Sequence, residues 1–104
     1  MIKVSVMYPN GPETKFDTDY YKNSHLPMVA KHLGDALKGL ELNVGLAGRG
    51  EDEPAPYIAI ADLLFESIES FQASFGPHAE MFAEDIPNYS NVRGELQISE
   101  ITTF

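Results

Sequence analysis

The chain has no cysteine and no tryptophan, and only 7 of its 104 residues are Lys or Arg. Without cysteine there is no disulfide, no thiolate metal site, no iron–sulfur cluster and no thiol nucleophile. A secreted domain this small commonly leans on disulfides, so their absence points to the cytoplasm. The few cations face 16 Asp and Glu residues, for a net charge of −9. Such a surface repels polyanions and anionic bilayers, which argues against nucleic acids and membrane surfaces as partners. Long hydrophobic runs are missing too. The longest nearly apolar stretch, Tyr57 to Phe65, falls far short of the roughly 20 residues a bilayer-spanning helix needs. Met1 leads straight into alternating residues rather than a charged start and an apolar run, so no signal peptide is expected.

What remains is an ordinary globular mixture, 43% hydrophobic and 22% charged, enough for one domain over residues 1–104. Ile2 to Tyr8 alternates with a period of two and reads as a strand. Pro9-Asn10-Gly11-Pro12 breaks it. Asp17 is a candidate N-cap for a helix whose face runs through Tyr21, His25, Val29 and His32 to Gly34. Pro27 inside that run removes a backbone donor and crowds the preceding turn, so a kink or restart is expected between Ser24 and Leu26. Leu40 to Leu46 alternates as a second strand, Gly48 to Pro56 is an acidic hairpin loop, and Tyr57 to Phe65 is a third strand. Ser67 caps a helix over Glu66 to Phe75, with Gly76 at its end. Pro77 opens a shorter helical piece that stops before Ile86-Pro87. Asn88 to Asn91 is a turn, and Val92 to Ile101 is the fourth strand.

The order β-α-β-β-α-β is the ferredoxin-like pattern of the α+β class: a four-stranded antiparallel sheet with two helices on one face. The first two strands are separated by about 30 residues, ample for a crossover. In a monomer the uncovered face of such a sheet meets water, and the third strand should then alternate cleanly. Tyr57 to Phe65 instead reads as apolar on both sides. A second copy of the sheet is the simplest cover, giving a homodimer that closes as a dimeric α+β barrel.

Chemistry-bearing residues are few. Tyr21 and His25 are four apart on one helix face, and His25 adjoins the Pro27 break. His25 is therefore a candidate general acid/base or ligand hydrogen bonder, or else a buried tether for the broken helix. His78, in the first turn after Pro77, is a candidate at a pocket mouth or a surface histidine. His32 lies about 10.5 Å along the axis from His25, too far to share a metal, and suits the helix C-terminus as a cation. No histidine or carboxylate spacing supports a metal site. Met28, Val29, Phe75, Met81 and Phe82 are candidate lining for an apolar cavity, or plain core. Gly45 to Gly50 lacks the spacing of a dinucleotide-binding loop and reads as a turn.

The run Phe16-Asp17-Thr18-Asp19-Tyr20-Tyr21-Lys22-Asn23-Ser24-His25-Leu26-Pro27-Met28-Val29 resembles the Y-x-x-x-H-x-P-[LM]-V signature of the EthD family. Phe71 to Glu80, Asp85 to Val92 and Gln97 to Glu100 are similar to later parts of the same pattern. The resemblance spans the chain in the right order and departs at Arg93-Gly94-Glu95, where a more apolar or proline-containing strand start would be expected. It implies a dimeric α+β barrel related to antibiotic monooxygenases, muconolactone isomerases, polyketide cyclases and haem-binding proteins. It marks His25, Tyr21 and His78 as signature positions. It also implies reductase-like chemistry in a family associated with oxidative ether degradation beside a cytochrome P450 system.

Three functions are expected on these grounds. The first is an oxidoreductase-type enzyme acting on a small apolar organic molecule, with a cofactor-free isomerase or cyclase as its nearest alternative. The second is a binding or accessory module for a hydrophobic metabolite, serving a redox-enzyme partner. The third is haem binding through a histidine. No cofactor motif is evident, and haem or flavin is left open.

Overall fold

Alternating apolar side chains set four strands, and the computed structural model, which describes residues 1–104, pairs them into one antiparallel sheet. They are β1 (Ile2–Pro9), β2 (Gly39–Val44), β3 (Tyr57–Phe65) and β4 (Glu95–Glu100), in the spatial order β2-β3-β1-β4. That order, with helical crossovers after β1 and β3, is the ferredoxin-like α+β fold. β4 is shorter than the expected strand from Val92 and begins only after Gly94. β2 starts at Gly39 and stops at Val44, before Leu46, which lies exposed.

The first crossover is helical in three linked pieces, α1 (Thr18–Tyr20), a π-helical turn (Tyr21–His25) and α2 (Leu26–Leu33). Asp17 caps α1 by accepting from the Tyr20 N–H at 3.0 Å. Leu26 donates its N–H to the Tyr21 carbonyl, five residues back. The expected break at Pro27 thus takes the form of a wider turn: backbone angles stay right-handed helical through Leu26, and Pro27 sits near the start of α2. Gly34 ends α2 at φ 57°, a conformation that favours glycine. In the second crossover Ser67 accepts from the Ser70 N–H at 3.0 Å and caps α3 (Ile68–Phe75). Gly76 does not stop the helical path as the sequence pattern suggests. It stays right-handed and leads through a short 3-10 turn into α4 (Ala79–Glu84).

Both helical crossovers cover one face of the sheet. Val4 and Tyr8 of β1 and Ala61, Leu63 and Phe65 of β3 meet Tyr21, Val29, Leu33, Phe71 and Phe82 in a single core. The opposite face is less apolar than the composition of β3 suggests. Asp62 lies in its middle, accepting from Ser5 Oγ at 2.6 Å and Asn43 Nδ2 at 3.0 Å, with half-buried Ile60 and Leu64 on either side. No helix is long and apolar enough to cross a membrane.

Phe65 is fully buried against Phe71 at a ring separation of 5.2 Å. Phe65→Ala should cost about 3–5 kcal/mol in urea-induced unfolding, from lost burial and the cavity left behind.

Candidate functional site

Three segments far apart in sequence converge at one end of the covered sheet face. β1 contributes Tyr8 at its end. The π turn contributes Tyr21 and His25. The segment after α4 contributes Asp85, Asn88 and Tyr89. Two backbone bonds hold that last segment against the approach to α1: the Asp17 N–H donates to the Tyr89 carbonyl at 2.7 Å, and the Asn91 N–H to the Lys15 carbonyl at 3.1 Å. Phe16 fills the space between, with ring centroids 5.0 Å from Tyr8 and 5.5 Å from Tyr89.

His25 is buried. Its Nδ1 is 2.9 Å from Asp85 Oδ2. A carboxylate only accepts, so Nδ1 carries the proton and Nε2 is left with its lone pair. Nε2 faces the Tyr89 hydroxyl at 3.5 Å, and that hydroxyl is 2.6 Å from the Tyr8 hydroxyl. The ring is stacked on Tyr21 at 5.3 Å and 13°. Asp85 also accepts from Tyr20 Oη at 2.7 Å and from Asn88 Nδ2 at 2.9 Å. The carboxylate therefore receives three side-chain donors and holds the imidazole in one tautomer and one orientation.

The electrostatics follow from this placement. Burial lowers the His25 pKa, and the hydrogen bond and charge of Asp85 oppose that only in part. Burial alone would raise Asp85, but the donors Asn88, His25 and Tyr20 outweigh it and hold the carboxyl below its ordinary value. Burial also pushes the phenols of Tyr8, Tyr21 and Tyr89 up, so all three remain neutral hydroxyl donors near neutral pH. The result is a neutral imidazole whose unprotonated Nε2 faces the Tyr89 hydroxyl, with the Tyr8 phenol next in line.

This cluster forms one wall of a cavity of about 370 Å³. Its polar groups are those of Tyr8, Tyr21, His25, Tyr89 and Arg93, and apolar side chains supply most of the rest. Sparse polar groups on apolar walls are the usual make-up of a small-molecule site.

The expected residues divide. Tyr21, His25, Val29, Phe75 and Phe82 all line this cavity. Met28 and Met81 do not; both pack as half-buried residues against the core. His78 stands apart from His25. Its ring lies 5.1 Å from that of His32 and 5.9 Å from Phe82, outside the cavity wall. His32 itself is exposed, with Nδ1 2.9 Å from the Met28 carbonyl. Sequence reasoning misses Asp85, Tyr8 and Tyr89 as site residues. The contact between His25 and Asp85 spans 60 positions, and the only hint of it is that Asp85 to Val92 resembles part of the EthD pattern. No group of three or more His, Asp or Glu side chains is placed to hold a metal ion.

A fold of this class with a histidine, its carboxylate and an apolar cavity can be set beside known proteins. The EthD domain model matches residues 12–92, and the chain belongs to that family. An EthD-like protein from Ralstonia eutropha is 37% identical, with a TM-score of 0.94 over 98% of this chain and 92% of its own. An ethyl tert-butyl ether D family protein from Bacillus halodurans shares the fold at 17% identity and a TM-score of 0.74, over 98% of this chain and 99% of its own. A protein from Arabidopsis thaliana shares it at 12% identity and 0.66, over 99% and 96%. Among curated proteins no match is found.

The pKa directions fix how pH acts on stability. The native His25 resists protonation, so as pH falls below 6.5 the unfolded chain takes up a proton that the native one refuses, and stability falls until the native pKa is passed. Asp85, lowered from 3.8, adds a second loss as pH falls from 3.8 through its native value. The His25 proton signal in an NMR titration should move below pH 6.5, and lower still in Asp85→Asn, where the charge favouring imidazolium is gone. Asp85→Asn also leaves donors underserved and should cost about 1–3 kcal/mol at pH 7.

Proposed function

We propose that this protein is a cytoplasmic enzyme that binds a small, largely apolar organic molecule in the cavity and moves a proton on it through His25. The observation that carries this is the unprotonated Nε2 of an imidazole fixed by Asp85 at the wall of an apolar cavity, with the Tyr89 hydroxyl 3.5 Å away to pass a proton to and from it. In such a site His25 takes a proton from carbon or oxygen as a general base. Tyr89 and Tyr8 donate hydrogen bonds to the oxyanion that develops. The resulting imidazolium is stabilised by Asp85, then returns the proton elsewhere on the product. This is the chemistry of a cofactor-free isomerase or cyclase. Reductase-like chemistry would draw its electrons from outside these residues, while proton transfer is what the side chains themselves supply.

His25 does not fit as the ligand of a haem iron. Nε2 of His25 is covered by Tyr89 at 3.5 Å, its face is stacked on Tyr21, and Nδ1 is committed to Asp85. An iron would have to displace the Tyr89 ring to reach the nitrogen.

2-Tetralone is a neutral, apolar ketone with acidic α-protons, and its deuteration in D2O reports proton abstraction directly by NMR. The protein should accelerate this exchange above the buffer rate. His25→Gln should abolish the acceleration while the protein stays folded at the assay temperature, at a melting temperature lowered by loss of the link to Asp85. The rate should fall only at pH below 6.5, because the working form is the neutral imidazole and its pKa is lowered. Saturable binding of the ketone with no exchange would replace the enzyme by a binding module.

The same reading takes the protein as a homodimer closed through the uncovered sheet face. What supports it is that Met7, Ile60 and Leu64 remain half-buried on a face no helix covers, and that Asp62 already has its hydrogen bonds satisfied there. Ile60→Asp places an unpaired charge at that face and should turn a dimer in sedimentation velocity into monomer. A parent protein that sediments as a monomer at micromolar concentration would rule the dimer out.

A further inference from the structure

The cavity wall is chemically one-sided in a way the proton-transfer reading does not use. The chain carries 16 Asp and Glu residues, yet none of them lines the cavity. Asp85 stands behind His25 and is not part of the wall. Of the 7 Lys and Arg residues one, Arg93, does line it. Arg93 is exposed and makes no ion pair and no side-chain hydrogen bond. The carboxylate closest along the chain, Glu95, is turned to accept from the Tyr57 hydroxyl at 3.1 Å. The backbone around Arg93 is also fitted to the cavity. A Cβ on Gly94 would lie 3.1 Å from both Tyr8 Cζ and Val6 Cγ1, so a side chain there would press on the phenol that faces Tyr89. Gly94 brings the chain close against the cavity wall, and the adjacent position carries the guanidinium.

We infer that Arg93 selects the ligand: the molecule taken into the cavity carries a carboxylate, which Arg93 binds at the rim while the apolar body lies inward against His25. A planar guanidinium offers a two-pronged donor set that matches a carboxylate, and an unpartnered one is free to give both bonds. A wall free of carboxylates removes the repulsion such a ligand would otherwise meet. The net charge of −9 does not oppose it strongly, because charges beyond about 8 Å are largely screened at physiological salt. The inference rests on the cavity being a ligand site, as proposed above, and adds the chemical class of the ligand.

The test uses matched pairs of aromatic acids and their amides, 2-naphthoate with 2-naphthamide and benzoate with benzamide, titrated calorimetrically at pH 7. The acid should bind about tenfold or more tightly than its amide. In Arg93→Gln the ratio of acid to amide affinity should fall to about one, with the melting temperature close to that of the parent, since Arg93 makes no ion pair and no side-chain hydrogen bond within the chain. Arg93→Lys should keep part of the preference, and added salt should reduce it in the parent. Equal affinity for acid and amide, or a preference that survives Arg93→Gln, would overturn the inference and leave the cavity reading standing. Failure of both members of each pair to bind would overturn the cavity reading and this inference with it.

Discussion

One buried imidazole ties together the parts of this fold that the sheet alone leaves loose. The four strands are fixed by their own register, but the two helical crossovers meet over one face and share backbone bonds only at the short Phe16–Ser90 bridge. His25 reaches from the first crossover to Asp85 at the end of the second, and Asp85 collects Tyr20 and Asn88 in the same step. The cost of burying the imidazole and the carboxylate is offset because each supplies the other's hydrogen bond. Around that link the aromatic rings of Tyr8, Phe16, Tyr21 and Tyr89 pack at centroid separations between 4.8 and 5.8 Å, largely edge to face. That packing sets Tyr8, Tyr21, His25 and Tyr89 along one cavity wall.

The π turn is what makes this geometry available. Tyr21 and His25 are four apart, and in a regular helix they would share a face with their successors at the same spacing. The wider turn, closed by the Leu26 to Tyr21 bond, redirects α2, so that Leu26 and Val29 continue the core contact while His25 keeps its ring against Tyr21. Pro27 reads in the sequence as a helix breaker, and it marks the place correctly. The form of the break was not legible, because a proline near the first turn of a helix is compatible with a kink, a restart or an inserted residue. The structure takes the last of these and keeps the helix continuous in its backbone angles.

Strand order and helix placement were legible because they depend on local periodicity, and Ile2 to Tyr8, Tyr57 to Phe65 and the Ser67 cap carry that signal in adjacent residues. The site was legible only where it too is local. Tyr21 and His25 could be paired by helical spacing, whereas Asp85 and Tyr89 meet His25 across 60 and 64 positions and no spacing rule reaches them. His78 fails to join for the complementary reason. Gly76 does not end the second crossover's helical path. The chain continues through a 3-10 turn, which turns His78 toward His32 and leaves Phe75 and Phe82 on the cavity wall. Met28 and Met81 are each beside a lining residue in sequence, and one position on a helix is enough to point a side chain elsewhere. The third strand misleads in a different way. Its composition is apolar, but the single polar residue Asp62 falls on the uncovered face, where it meets Ser5 and Asn43 across the ladder.

In the proposed role of His25, burial and its carboxylate partner act in opposite directions. Desolvation keeps the imidazole neutral to lower pH than a free one, which preserves the basic nitrogen, while Asp85 keeps that nitrogen from becoming too weak a base by stabilising the proton once taken. The balance requires the carboxylate to stay ionised, and three donors hold it so. Arg93 lines the same cavity but stands outside this hydrogen-bonded network, so in the proposed site it would bear on ligand recognition separately from proton transfer. On the proposed reading, proton-transfer groups fixed from behind by a network, and a ligand-selecting cation on a strand approach held close by glycine, separate two demands that would conflict if one residue served both. A residue that must hold a ligand's charge gains from exposure and freedom, and a residue that must exchange protons at a fixed atom gains from burial and a single orientation.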